Sequence, residues 1–424
     1  MATPRSYKLI IVGAYGLVSS SAFYQAAKLA KESASANSQF YQQPQVLAID
    51  QFSLGHAEGS SHGESRITRL AIGEGAEYVE LAKRSHEIWK EVESQTDSKL
   101  LHVMPDVPIG GLIVGPDGSG VPAFYHGTEG FLQQTHQRAR EYKVKHQYLA
   151  NAALRQTFPQ FKFRDGEAGY CEESMGYINA DACIKANIAL AKKFGGELRD
   201  NEIVERFEKL ADGKIKVTTS KKSVETSYLT EKLIIAAGPW LQNLVDVHEL
   251  TVCRQVVYWF KVDPASRSQF TNASFPTFIW NLDNKNMVYG FPLMEDAEAI
   301  KIGTESYATT TTPETVDRQV SQIEITRMYE KFIKPYFTGI TSECVKAKVC
   351  LYTVAPKWRF VIDFLPDYDN KVIVASPCSG HGAKHAAAVG EAIAQQSLRG
   401  KSKIPVMEFG GLLLPDNRIR LTRS

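Results

Sequence analysis

Unbroken apolar runs stand near both ends of the chain. Lys8-Leu-Ile-Ile-Val12 predicts a strand buried on both faces, Gly13 a tight turn, and the stretch from about Ser19 to Ala34 a helix with small residues against the sheet. A second strand, Val46-Leu-Ala-Ile-Asp50, follows a polar stretch from Glu32 to Gln45 that reads as a surface insertion. Towards the other end Lys371-Val-Ile-Val-Ala375 predicts a further buried strand, leading through Ser379-Gly-His-Gly382 into a helix from about Ala383 to Ser397. Strand, glycine turn and helix in that order make half of a βαβ unit and predict a nucleotide-binding domain assembled from distant parts of the chain.

The middle reads differently. A helical stretch runs from Gly75 to about Ser94, followed by a β-rich segment including Val107 to Val114 and a polar helical region near Gly130 to Leu154. Lys214-Ile-Lys-Val-Thr218, Val224-Glu-Thr-Ser-Tyr228 and Leu233-Ile-Ile-Ala-Ala237 predict a hairpin and strand that return to the nucleotide domain, stopped by Gly238-Pro-Trp240. Aromatic-rich strands from Gln255 to Ser306 suit a sheet roofing a pocket, and Pro313 to Phe337 reads as a helical excursion. The expected fold is α/β (α+β): a discontinuous nucleotide domain of residues 1–84, 150–240 and 345–424, and a substrate domain of residues 85–149 and 241–344 built on an antiparallel sheet.

Composition narrows the function classes. With 424 residues and 43% apolar content the chain can bury a sizeable core. Its 49 basic and 47 acidic residues nearly cancel, and no long basic block is interleaved with aromatics, so nucleic acid is not expected as a partner. Cys171, Cys183, Cys253, Cys344, Cys350 and Cys378 show no CxxC spacing, which fits a reducing compartment and gives no zinc site. No signal-peptide core opens the chain and no run reaches the roughly 18 apolar residues of a membrane span, so a cytoplasmic protein without a membrane partner is expected; a monomer is expected as well. Leu421-Thr-Arg-Ser424 is not the peroxisomal tripeptide, and a peroxisomal address stays open.

Two local patterns carry chemistry. Gly13-Ala-Tyr-Gly-Leu-Val-Ser19 yields GxGxxG only if Tyr15 is an inserted residue and Ser19 replaces the third glycine. In that reading Gly13 and Gly16 shape the phosphate turn and Asp50, ending its strand, accepts hydrogen bonds from a ribose diol; the same turn also suits an α/β domain without nucleotide. Cys350 lies in Lys346-Ala-Lys-Val-Cys-Leu-Tyr352, where basic neighbours draw a thiol toward the nucleophilic thiolate. Taken alone, such a cysteine is more often a small buried hydrophobe.

Several separated motifs together resemble the monomeric sarcosine oxidase and L-pipecolate oxidase family of FAD-dependent amine oxidases. They are Gly59-Ser-Ser-His-Gly-Glu-Ser-Arg-Ile-Thr-Arg69, Gly73-Glu-Gly-Ala-Glu-Tyr-Val79, Arg254-Gln-Val-Val257, Tyr289-Gly-Phe-Pro292, Val349-Cys-Leu-Tyr-Thr353, Phe360-Val-Ile-Asp363 and Ser379-Gly-His-Gly382, in the family's order over nearly the whole chain. The resemblance implies a Rossmann-like FAD domain beside an antiparallel-sheet substrate domain, FAD linked covalently through Cys350, and a small amine substrate whose carboxylate is held by Arg69 and Lys384. It further implies that Arg66, His62 and His381 lie beside the flavin, with Trp240, Gly380 and Gly382 in the cofactor's surroundings. Lys301 is implied to activate oxygen, and Tyr289 and Tyr352 to face the amine. The implied reaction takes a hydride from the carbon beside a secondary or N-methylated amine nitrogen, leaves an imine that water hydrolyses, and reduces O2 to H2O2. A dehydrogenase, a tailoring oxidase of a larger amine and a non-catalytic flavin-binding protein are the alternatives.

The chain departs from the family at Tyr15 and Ser19, and at Glu305, where sarcosine oxidases carry a histidine facing the substrate. Glu305 predicts a substrate with a second cationic or hydroxyl group. Ala383 and His385 stand where bulkier aromatics occur and predict a wider pocket, while Pro356-Lys-Trp-Arg359 makes basic a stretch that is often acidic.

Overall fold

The computed structural model describes residues 4–35, 44–106, 109–118, 124–247, 249–283, 285–294 and 297–410. Most of the polar insertion, Val107 and the C-terminal residues lie outside that set.

Strands Glu197–Arg199, Val46–Ile49, Arg5–Val12 and Val224–Ile235 lie side by side, and Val372–Ser376 adds to the last, all in parallel. Their apolar runs are unbroken because both faces are covered. One face carries helices Leu17–Ser35, Val79–Glu93, Ala180–Lys193 and Ala386–Arg399, whose alanines and serines allow close packing. The other packs Leu241, Leu244 and Val247 beside the meander Ile203–Lys209 and Ile215–Lys221. The separate hairpin strand and returning strand expected at 224–237 are one strand, Val224–Ile235. Its first half pairs antiparallel with the meander and its second half parallel with Arg5–Val12 and Val372–Ser376.

The second sheet has nine strands and is almost entirely antiparallel; Thr277–Asn281 on Gly111–Pro116 is its parallel pair. Its longest members, Thr251–Val262 and Ile340–Val354, run together with Gln255 opposite Cys350. An aromatic cluster of Phe161, Phe275, Phe278, Trp280 and Phe337 fills its outer core. A three-stranded sheet, Ser65–Thr68 with Gly176–Asn179 and Leu101–His102, stands between the two large ones.

Sheet membership departs from the expected division of the chain in three places. Glu167–Glu172 and residues 345–354 belong to the nine-stranded sheet, and the end of Val79–Glu93 packs with the Ala386–Arg399 helix on the parallel sheet. Chain order misleads here because strands cross between layers without a Gly- or Pro-rich linker to mark the passage. Within the helical region expected from Gly130 to Leu154, a strand, His146–Leu149, separates helices Phe131–Glu141 and Asn151–Thr157; its three half-exposed residues lack a clear period. The excursion from Pro313 to Phe337 is helical only at Gln322–Met328 and the following π turn.

Candidate active site

The parallel strands end at a cleft. A cavity of about 490 Å³ opens past Val12, Ile49 and Ile235, lined by Gly13, Tyr15, Gly16, Asp50, Ser60, Ala237 and Trp240. A crevice at the carboxyl ends of parallel strands is where dinucleotides lie in such folds. Gly13 has φ +93°, and a Cβ there would stand 2.5 Å from the Ala236 carbonyl, so strand and turn approach closer than any side chain permits. Four residues, Gly13 to Gly16, join strand to helix. Tyr15 is not looped out of that turn: its N–H donates to Asp50 at 2.9 Å and its ring is buried. Nor does Ser19 act as a small packing residue, since its hydroxyl accepts the Gly16 N–H at 3.1 Å and so satisfies a free amide at the helix start. Asp50 also accepts the Phe52 N–H at 2.9 Å; its remaining lone pairs stay available to the cleft. Trp240 meets Phe52 edge-on, 5.1 Å between centroids.

Where the Ser65–Thr68 strand meets the nine-stranded sheet lies a second cavity, about 60 Å³, and here residues from the separated motifs converge. Arg66, Arg69, Tyr289, Lys301, Glu305, Cys350, Tyr352, Gly380, His381 and Lys384 all border it. Lys301 is no strand-edge cation: it is 3% exposed, and its Nζ donates to the Gly63 and Ser65 carbonyls at 2.6 and 2.7 Å. Burial and the neighbouring Arg66 push its pKa well below the usual lysine value. Arg66 holds the same loop, donating to the carbonyls of Ser60, His62 and Ser65. His62 is buried with neither ring nitrogen partnered, and desolvation followed by Arg66 lowers its pKa to about 3, so it is neutral.

Cys350 corrects the sequence reading. Burial pushes its thiol up, and the cations that partly offset this are Arg66 and Lys301 across the cavity, not the adjacent lysines of its own strand. Lys346 is engaged elsewhere, 2.5 Å from Glu64.

The opposite end of the cavity is a buried charge network. Arg69 is 1% exposed and pairs with both oxygens of Glu74 at 2.8 and 2.6 Å, while its other terminal nitrogen donates to the Ala71 carbonyl. Lys384 lies 3.3 Å from the same carboxylate. Burial alone would raise Glu74, but Arg69 and Lys384 hold it well below the carboxylate range. Glu172, 1% exposed, accepts the Leu70 and Ala71 N–H groups at 2.6 and 3.2 Å together with the hydroxyls of Tyr170 and Ser174. The backbone beside Arg69 is thereby tied to the nine-stranded sheet. Desolvation lowers Lys384 to about 8, partly offset by Glu74. Its ammonium is therefore full below that pH and lost above it, and affinity for a carboxylate ligand is expected to fall as pH rises through about 8. Calorimetric titration with a simple carboxylate from pH 6 to 10 measures this; a flat profile would refute it.

Glu305 faces neither solvent nor a lysine. Its carboxylate takes the Tyr307 hydroxyl at 2.7 Å and lies 2.9 Å from His126 Nε2. Gly380 and Gly382 shape the turn alongside: Gly380 has φ +81°, and a Cβ on Gly382 would overlap the Pro377 carbonyl. The basic stretch 356–359 has a structural part here, since the Trp358 carbonyl holds His381 Nε2 at 2.9 Å and the Arg359 carbonyl holds the Ser379 hydroxyl at 2.8 Å. His381 is neutral, its pKa pushed well down by burial and then by Lys384 and His126. Ala383 borders the cavity, but His385 turns into the core between Tyr78 and Phe360, and Tyr125 and Phe291 take up space on the other wall.

Glu74, Glu172, His126 and Tyr307 escaped the sequence reading. Glu74 lay inside the motif Gly73-Glu-Gly and was legible only as its neighbour; His126 occupies the hairpin Phe124–Tyr125 and Thr128–Glu129, whose sequence gives no sign of what it packs against.

Among the described residues no helix is long and apolar enough to cross a membrane. Residues 8–396 match the family model described as FAD dependent oxidoreductase. Monomeric sarcosine oxidase of Bacillus sp. strain NS-129 is 31% identical, the alignment covering 95% of this chain and 96% of that protein. N-methyl-L-tryptophan oxidase of Yersinia pestis strain Pestoides F is 29% identical over 95% of this chain and 98% of its own. Among solved structures, NikD, described as an unusual amino acid oxidase essential for nikkomycin biosynthesis, superposes with a TM-score of 0.77 at 18% identity, covering 99% of this chain and 100% of that one. The dinucleotide cleft, the unpartnered His62 beside it and the close Gly13 turn fit the cofactor those matches imply. The chain belongs to the FAD dependent oxidoreductase family, within the group of the monomeric sarcosine oxidases.

Proposed function

We propose that the protein is an FAD-dependent oxidase of a secondary or N-methylated amino acid, with the flavin joined to Cys350. The observation that carries this reading is the gathering, in one buried cavity, of the cations Arg69 and Lys384, the phenols Tyr289 and Tyr352, the buried Lys301 and Cys350, drawn from five separate stretches of the chain. FAD, when bound, supplies the hydride acceptor and hands two electrons to O2. The chain's residues do the rest. Arg69 and Lys384 grip the substrate carboxylate once Arg69 releases Glu74, and this fixes the carbon beside nitrogen. Tyr289 and Tyr352 present ring faces to the amine, which binds in its neutral form, so no dedicated base is needed. The buried walls of the cavity limit water around the amine until the imine leaves to be hydrolysed.

Reduction of the flavin absorbance in the absence of air, with sarcosine, N-methyl-L-tryptophan, L-pipecolate and a primary amino acid as controls, tests the activity. Bleaching by the secondary amines and not by the primary one is expected. No bleaching by any of them refutes the reading. In the same preparations, acid-precipitated wild-type protein should stay yellow and Cys350→Ala protein should release its flavin; equal release from both would refute the covalent link.

A further inference from the structure

Glu305 does not stand alone in the cavity wall, and its surroundings limit the charge a substrate can bring. On the hairpin, His126 sits between two buried carboxylates, Nδ1 3.4 Å from Glu74 and Nε2 2.9 Å from Glu305. The side chain is fully enclosed. The second contact is close in distance but out of hydrogen-bond alignment, so it acts as an ion pair. A neutral imidazole has one N–H and would leave its other nitrogen beside an acceptor-only carboxylate; only the imidazolium suits both neighbours. Burial lowers the ring's basicity, but Glu305 and Glu74 more than offset this and raise its pKa above the ordinary histidine value.

The other groups facing His126 carry no charge. Tyr125 on its own hairpin and Tyr307 after the Ala299–Gly303 strand have pKa values pushed well up by burial and then by Glu305, and His381 is neutral. Arg66 and Lys301 belong to the other end of the cavity, bonded to the carbonyls of residues 60 to 65. Ion pairs join three cations, Arg69, Lys384 and His126, to two carboxylates, Glu74 and Glu305, a formal excess of one positive charge; Glu172 behind Arg69 and Arg66 at the other end of the cavity add one charge of each sign and leave that excess unchanged.

We infer that His126 is a specificity-determining residue: as the built-in counter-ion of Glu305 it leaves the site one positive charge in excess, so the substrate is an amino acid with one carboxylate and an uncharged side chain that hydrogen-bonds to Glu305. This rests on the amino-acid reading above and narrows it. A side-chain ammonium would meet a carboxylate already paired, and a second carboxylate would go unpaired. The hydroxyl half of the expectation from Glu305 is kept and the cationic half replaced.

Three compounds of similar size separate the possibilities: N-methylhomoserine, N2-methyl-2,4-diaminobutyrate and N-methylaspartate, differing in a terminal hydroxyl, ammonium or carboxylate. Affinities for the flavin-loaded protein are measured by calorimetry without oxygen, beside flavin reduction. At pH 7 the hydroxyl compound is expected to bind at least about tenfold more tightly than either charged one. Raising the pH to 9 takes the proton from Lys384 and removes the excess charge, so the preference over the ammonium compound should shrink about tenfold or invert; His126→Asn should do the same at pH 7. Equal or tighter binding of the ammonium compound at pH 7, or a preference that neither pH nor the variant moves, overturns the inference. The pH series needs no variant, so a misfolded His126→Asn protein does not spare the idea. If the affinities follow the expected order but nothing reduces the flavin, the oxidase reading fails while the charge count stands.

Discussion

Arg69→Met is expected to lower both activity and stability, by separable routes. Two charge-assisted hydrogen bonds to a carboxylate at about 1.5–3 kcal/mol each amount to about 3–6 kcal/mol, a hundredfold to ten-thousandfold loss in kcat/KM. In the free protein the same guanidinium neutralises Glu74, which is 2% exposed in its side chain. Removing one member of a buried ion pair typically costs about 3–5 kcal/mol because the other charge is left unpaired. Lys384, 3.3 Å away, tempers that cost without abolishing it. The double variant Arg69→Met/Glu74→Gln should regain most of the lost stability in denaturant titrations and none of the activity. If the second substitution restores nothing, Glu74 is not the charge that Arg69 compensates; if it restores activity, Arg69 is not the carboxylate grip.

Lys301→Met is expected to separate the two halves of turnover. An ammonium about 4 Å from a developing superoxide contributes about 4 kcal/mol at an effective dielectric near 20, roughly a thousandfold in rate. Stopped-flow measurement should therefore find oxygen consumption slowed on that order, with anaerobic flavin reduction changed only a few-fold. The depressed pKa of Lys301 sharpens the expectation, because a lysine that holds its proton weakly gains it when negative charge arrives beside it. Oxygen reactivity in the wild type should fall as pH rises, and the Met variant should lose that dependence. A variant that reacts with oxygen as fast as wild type would reassign Lys301 to holding the Gly63 and Ser65 carbonyls.

The parallel sheet was legible because a strand buried on both faces leaves an unbroken apolar run, as in Leu9 to Val12 and Val372 to Ala375. The crossings between layers were not, since Val224–Ile235 and Ile340–Val354 look alike in sequence while serving different sheets. At the site, the residues that lie together in short motifs were found. Partnerships across the fold were hidden: nothing local links Glu74 to His126, 52 residues on, or His126 to Glu305, 180 beyond Tyr125. Charge state was also hidden, because burial and distant neighbours decide it, and for Cys350 they act against what its flanking lysines suggest.

The tie from Glu172 to the amides after Arg69 has an evolutionary consequence. The proposed carboxylate clamp is aimed by a side-chain carboxylate of a sheet strand that accepts two backbone amides, whereas the proposed selecting residues His126 and Tyr307 ride on a hairpin and a loop, and His126 meets the clamp's partner Glu74 rather than Arg69 itself. Substitutions at the selecting end can change which amine is taken while the clamp keeps its aim, so descendants of this fold can acquire new substrates in single steps that do not first pass through an inactive protein.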